Sequence, residues 1–216
     1  MKIEGIVISS VDYKETSKLV NLYTELGMLC VKALGSKKIK NNLLGFTQTG
    51  NIVLSILTDN KYKEVIEFEL IDSMYMYLND INIIDSFSKI IDLMNSIPED
   101  INHKRLYPYL KKTLNDIKIY NPKKVLCIFL IKMLYVFGVN PNLETKNNEM
   151  YFDPIKGHAS ELTGSNNLKI WKEYYYDKKD IDSYTDCDFN NLYNEIKLYY
   201  NYHIDINIKL WGYYEK

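Results

Sequence analysis

The chain has 216 residues, 46% of them hydrophobic and 25% charged, enough apolar content for a core in one large domain or two small ones. Lys+Arg 27 against Asp+Glu 28 leaves a formal charge of −1, which excludes a uniformly basic nucleic-acid sleeve and an acidic disordered tail. Three scattered cysteines, Cys30, Cys127 and Cys187, can build neither a disulfide framework nor a four-thiolate zinc site.

In chain order, the first third reads as strands. Ile3, Gly5, Val7 and Ser9 alternate with Glu4, Ile6 and Ile8, a pattern of a strand covered on both faces. Lys18 to Tyr23 is a second strand, and Gly27 suits the tight reversal into a third, Met28 to Leu34. Phe46 to Thr58 and Tyr62 to Ile71 form another pair around Asp59-Asn60-Lys61. Five short strands in so short a stretch predict a small barrel, since a lone sheet would leave an apolar face wet.

Near Ser73 the apolar period changes from two to about 3.6. Ile83, Ile84, Phe87, Ile90, Ile91, Met94 and Ile97 make one helical stripe, and Leu106, Tyr109, Leu110, Leu114 and Ile117 a second. In the third helix Asn121 is the expected N-cap, Pro122 the first helical residue, and Gly138 and Pro141 the stop; its all-round apolarity puts it at the centre of a helical part. Residues 140–167 read as loop with a short hairpin around Met150-Tyr151-Phe152, and helical periodicity resumes from Leu168, ending in a helix carrying Phe189, Leu192, Tyr193, Ile196, Tyr199 and Tyr200. The predicted fold class is α+β, a β-barrel at 1–74 followed by a helical domain at 75–216 with a long loop insertion. The most apolar run, Val125 to Val139, is split by Lys132 and falls short of the ~20 residues that span a bilayer. A cytoplasmic protein with no membrane partner is expected.

Catalytic patterns are absent: there is no Gly-rich phosphate loop, no Gly-x-Ser-x-Gly elbow and no His-Glu-x-x-His pair. His103, His158 and His203 are isolated in sequence; Cys30 and Cys127 read as small core residues, and Asp186 and Asp188 disfavour a Cys187 thiolate. No enzyme is expected.

Charge distribution is more informative than its sum. Residues 1–63 hold nine Lys against five acids, whereas 171–216 hold six Lys against nine acids. Lys32, Lys37, Lys38 and Lys40 fall close together around Gly35 with no acid between them. A basic loop beside a barrel face suits a phosphodiester backbone, with Tyr13, Tyr23 or Phe46 as stacking platforms. A solvated Lys-rich loop is the plain alternative, because Lys, Ile, Asn and Tyr supply 94 residues of this chain and Arg105 is its one arginine.

Glu4-Gly5-Ile6-Val7-Ile8, then Asp12-Tyr13-x-Glu15-x-Ser17-Lys18-Leu19-Val20 and Tyr23-Thr24, resembles the opening of the RecO family of bacterial recombination-repair proteins. Lys32-Ala33-Leu34-Gly35-Ser36-Lys37-Lys38 is similar to that family's basic strand end, and Phe129-Leu130-Ile131-Lys132-Met133-Leu134 with Gly138 and Pro141 to its central helix. Phe152-Asp153-Pro154 with Gly157 resembles its Phe-Ser-Pro loop, and Tyr202-His203-Ile204 with Lys209 its C-terminal helix, although Asp205 and Leu210 depart from it. The resemblance implies an OB-fold at 1–74 and a non-enzymatic recombination mediator, acting at the bacterial nucleoid during repair. Such a protein binds and anneals single- and double-stranded DNA, engages the tail of single-strand-binding protein and, with RecR, helps load RecA.

The implied DNA contacts are Lys18, Lys32, Lys37, Lys38 and Lys40, with Lys14 and Tyr13; the implied partner-tail contacts are Lys123, Lys124 and Lys132. Many family members hold the loop at 140–167 with two Cys-x-x-Cys pairs around zinc, whereas this chain has Leu143-Glu144-Thr145-Lys146 and His158-Ala159-Ser160 there. No zinc and no other cofactor is expected. The competing reading is a protein-interaction module with an OB-like barrel that does not bind DNA.

Overall fold

The computed structural model describes residues 1–38, 42–145, 151–161, 168–176 and 184–204. It divides into two compact units, Met1–Ile81 with Glu99–Asn115, and Asn82–Pro98 with Asp116–Lys216.

In the first unit, β1 Lys2–Tyr13, β2 Ser17–Thr24, β3 Gly27–Ala33, β4 Ile52–Leu57 and β5 Lys63–Asp72 close a barrel in the order β1-β2-β3-β5-β4, with β4 pairing back to β1. The pairings are antiparallel except for a short parallel contact between β3 and β5, Val31 with Lys63 and Lys32 with Glu64. This is the expected OB-type barrel. Its interior is filled by Val7, Val20, Leu22, Val31, Ala33, Phe46, Val53 and Leu57. Gly5 is required where β1 crosses Leu22, because a Cβ there would lie 2.4 Å from Leu22 Cγ.

The double-sided apolarity of β1 has a structural cause. Glu4 and Ile6 share its outer face, Ile6 pairs with Tyr23, and α2, His103–Asp116, is tied to both neighbours. Tyr107 Oη and Lys111 Nζ donate to Glu4 Oε1 at 2.8 and 2.6 Å, and the Tyr23 hydroxyl meets His103 Nδ1 at 3.1 Å. Burial of the Glu4 carboxyl opposes its charge, but the Lys111 and Tyr107 bonds and the Lys111 charge outweigh it and hold Glu4 below its ordinary pKa of 4.5. Gly27, at φ 105, makes the β2–β3 reversal as expected.

Two expectations for this unit are corrected. Phe46 to Thr58 is not one strand: Asn42–Thr47 is a 3-10 turn, and β4 starts at Ile52. Gly50 at φ 86 breaks the extended chain, and the Asn51 amide donates to the Gly45 carbonyl at 2.7 Å, folding the segment back so that Phe46 plugs the barrel. Cys30 is exposed rather than core, since the β3 alternation turns Val31 and Ala33 inward and leaves Met28 and Cys30 outside.

The second unit contains α1 Ile81–Met94 from Asn82 onward, α3 Pro122–Val136, the hairpin β6 Tyr151–Asp153 with β7 His158–Ser160, α4 Leu168–Tyr175 and α5 Asp186–His203. Asn121 caps α3 by accepting from the Lys123 and Lys124 amides, and Gly138 ends it at φ 68, both as read from sequence. α3 is the buried element of this unit, with Val125, Leu126, Cys127, Phe129, Leu130, Ile131, Met133 and Leu134 inside. Burial pushes the Cys127 thiol up to about 12, so it is an inert core group. At the start of α5, Thr185 and Asp188 form a capping box. Phe152 is fully buried, its ring 4.6 Å from Trp171 and 6.0 Å from Tyr199, so aromatic packing fixes the hairpin to α4 and α5. His203 Nε2 lies 3.1 Å from the Pro154 carbonyl and secures its turn.

Candidate nucleic-acid interface

The interface is built where two segments distant in sequence meet. The β1–β2 turn passes through Lys14, which holds a left-handed backbone at φ 54, a conformation that L side chains seldom adopt. The loop leaving β3 turns at Gly35, φ 68, and docks on that turn: Lys37 N donates to Thr16 O at 3.0 Å, and Gly35 N to Ser17 Oγ at 3.1 Å. Lys37 Nζ then pairs with Asp12 at 2.8 Å. These bonds gather Lys14, Lys18, Lys37 and Lys38 at one end of the barrel, with Lys14, Lys37 and Lys38 exposed and Lys18 half-buried opposite Asp12 and Ala33. The hydrogen bond and charge of Lys37, with a smaller contribution from Lys18, hold the Asp12 carboxyl below its usual range. Asp12 and Glu15 are the carboxylates of the turn, so positive charge prevails there.

The other expected contacts fall differently. Lys32 lies on β3, 3.8 Å from Glu64 and 5.0 Å from the centroid of the Tyr62 ring. Tyr13 is half-buried, with Lys14 Nζ 5.4 Å from its ring centroid. Tyr23 and Phe46 are fully buried and cannot stack on bases: Tyr23 sits under α2 and Phe46 packs against Phe68. Lys40, Asp205, Lys209 and Leu210 lie outside the described residues. Beside the basic end, Leu34, Lys38, Asn42, Leu43, Val65, Ile66, Glu67 and Phe68 line an open groove of about 740 Å³.

The excess of lysine over 1–63 also changes meaning. β5 adds Glu64, Glu67, Glu69 and Asp72, so residues 1–74 hold nine Lys and nine acids. The barrel is neutral in sum, with Glu64 beside Lys32 and Glu67 lining the same groove as Lys38. Sequence reading missed Asp12, Thr16 and Ser17 as organisers of the basic loop. Their role depends on strand register, which no spacing along the chain reports.

The α3 lysines are engaged within their own unit. Lys124 is buried, donates to the Tyr184 carbonyl at 3.0 Å and pairs with Asp186 at 3.2 Å, thereby stapling the approach to α5. Lys132 donates to the carbonyl of Tyr175 at 2.8 Å, placing an ammonium at the C-terminus of α4 where the helix dipole favours it. Lys123 Nζ stands 5.0 Å from the Tyr193 ring centroid. Among the described residues no group of three or more His, Cys, Asp or Glu is placed to hold a metal ion, and no helix is long and apolar enough to cross a membrane.

Comparison with known proteins adds the family. Residues 1–74 match the family model described as recombination protein O, N terminal. The chain is 32% identical over 150 residues to the DNA repair protein RecO of Halalkalibacterium halodurans, covering 66% of this chain and 58% of that protein. It is 33% identical over 153 residues to the DNA repair protein RecO of Bacillus mycoides and 32% identical to that of Bacillus cytotoxicus, each match covering 67% of this chain and 60% of the relative. The matched stretch therefore spans less than two thirds of these curated relatives. Its OB-type barrel lies on the N-terminal segment that matches the recombination protein O model, and two thirds of the chain is similar to DNA repair proteins RecO.

Proposed function

We propose that the chain is a non-enzymatic mediator of recombinational DNA repair that binds and anneals single- and double-stranded DNA. The observation that carries this reading is the meeting of the Lys14–Lys18 turn with the Lys37–Lys38 loop at one end of an OB-type barrel. Lys14, Lys37 and Lys38 act there as exposed point charges on flexible stems. They suit a backbone that must slide during annealing better than base-reading forks do. Lys18, Lys37, Lys38 and Lys40 are the proposed phosphate contacts, with Lys14, Lys32 and Tyr13 at the margin. In this reading the chain takes no zinc, engages the C-terminal tail of single-strand-binding protein, and with RecR helps load RecA. Lys123 is the proposed contact for the tail carboxylate. Lys124 and Lys132 would contribute only by giving up their carbonyl partners, Tyr184 and Tyr175.

The test is annealing of two complementary labelled oligonucleotides, followed by capture of RecR and single-strand-binding protein on the immobilised chain. Accelerated annealing and recovery of both proteins are expected. A chain that neither speeds annealing nor retains either partner contradicts the proposal. One observation favours a second reading, a barrel that docks protein: Asp12 and Glu64 neutralise Lys37 and Lys32, while β5 exposes Ile66, Leu70 and Ile71 among its acids.

A further inference from the structure

We infer that Tyr62 is a stacking platform for one unpaired base of single-stranded DNA, a role that rests on the DNA-binding reading above. Tyr62 stands in the β4–β5 turn with 67% of its surface exposed, in contrast to the buried Tyr23 and Phe46. It immediately precedes β5, whose first residues pair Lys63 with Val31 and Glu64 with Lys32, so the ring stands beside the outer residues of β3. Lys32 Nζ lies 5.0 Å from the ring centroid and Lys61 Nζ 6.0 Å, within cation–π reach. The neighbouring outer face carries Leu19, Asn21 and Cys30, which bear no charge. Glu64, 3.8 Å from Lys32, and Asp59 in the turn are the acids nearby.

This grouping has the two parts that single-strand recognition needs. A ring with most of its surface exposed offers stacking area to any base, and the ammonium groups over it supply positive charge to the phosphates on either side of the stacked nucleotide. A duplex hides its base faces in its own stack, so it gains nothing from Tyr62 and reads only the charges. The platform therefore discriminates single-stranded from double-stranded DNA, which the basic end of the barrel does not.

The experiment is fluorescence anisotropy with the whole chain, using labelled oligothymidylate and a duplex of equal length at two salt concentrations. Tyr62→Ala is expected to weaken oligothymidylate binding about fivefold or more, the low end of one base stack. Duplex affinity and the salt slope should stay as they are, and Tyr62→Phe should bind like the unaltered chain. Wild-type oligothymidylate affinity in Tyr62→Ala, with salt-dependent binding still present, overturns the platform and leaves the DNA-binding reading standing. Equal losses on both DNAs also overturn it, since the ring would then act through the turn and not through a base. No binding of either DNA by the unaltered chain overturns both proposals.

Discussion

Lysines at the basic end of the barrel and lysines on α3 carry the same charge and are used differently. Lys124 and Lys132 point at backbone carbonyls and finish the ends of neighbouring segments, so their charge serves the fold. Lys14 and Lys38 are exposed, and Lys37 shares one carboxylate, Asp12, at the surface. A lysine aimed at a carbonyl is structural cement; a cluster of exposed ones that outnumbers its two acids, Asp12 and Glu15, is the binding surface proposed above. Density of lysine in the sequence does not separate the two cases, but the partner of each ammonium does.

The largest effect is expected from the packing that holds the helical unit. Phe152→Ala removes a fully buried ring that touches Trp171 and Tyr199 and should cost about 3–5 kcal/mol in thermal or denaturant unfolding. DNA affinity of the molecules that remain folded should be unaltered. Next, Lys124→Met leaves the Tyr184 carbonyl without its donor and Asp186 without its partner, and should cost about 1–3 kcal/mol. It too should leave the salt dependence of DNA binding untouched, and a large change in that dependence would erase the distinction between the two sets of lysines.

A smaller effect concerns the link between β1 and α2. Glu4 is held below its ordinary pKa of 4.5 in the folded chain, so its contribution is fully present above that value and is lost as pH falls through the folded value. Urea midpoints of the unaltered chain should therefore drop on acidification below about pH 4.5 more than those of Lys111→Met. The Lys111→Met change itself should cost about 1 kcal/mol at neutral pH, as befits a half-exposed ion pair. Parallel acid profiles for the two proteins would show that Lys111 does not hold the Glu4 charge.

Much of the fold was legible because its signals are local. Asn121-Pro122 and Gly138 mark the ends of α3 through chemistry that needs no distant partner. The five strands announced a barrel because their apolar residues demanded a second covered face. What depends on pairing was hidden. Whether Cys30 or Val31 faces inward is decided by barrel closure, and Phe46 left its expected strand because Gly50 and the Asn51 side chain turn the segment. The candidate site was half legible: the Lys-rich loop is visible, while its union with the β1–β2 turn through Thr16 and Ser17 is tertiary. The counterweight of β5 was missed because a charge count cut at residue 63 stops just before Glu64. Tyr62 escaped notice in a chain with 20 tyrosines, where only exposure and its lysine neighbours set it apart.

The central claim is that exposed lysines at one end of the barrel bind the DNA backbone. The most direct measurement is the slope of log affinity against log salt for a single-stranded oligonucleotide, compared between the unaltered chain and Lys37→Ala, Lys38→Ala, Lys40→Ala combined. Removing one lysine from a phosphate should lower the slope by about 0.7 for a single strand, so the triple variant should lower it by about 2, with a tenfold or greater drop in affinity at low salt. The same slope and the same affinity in both proteins would contradict the account.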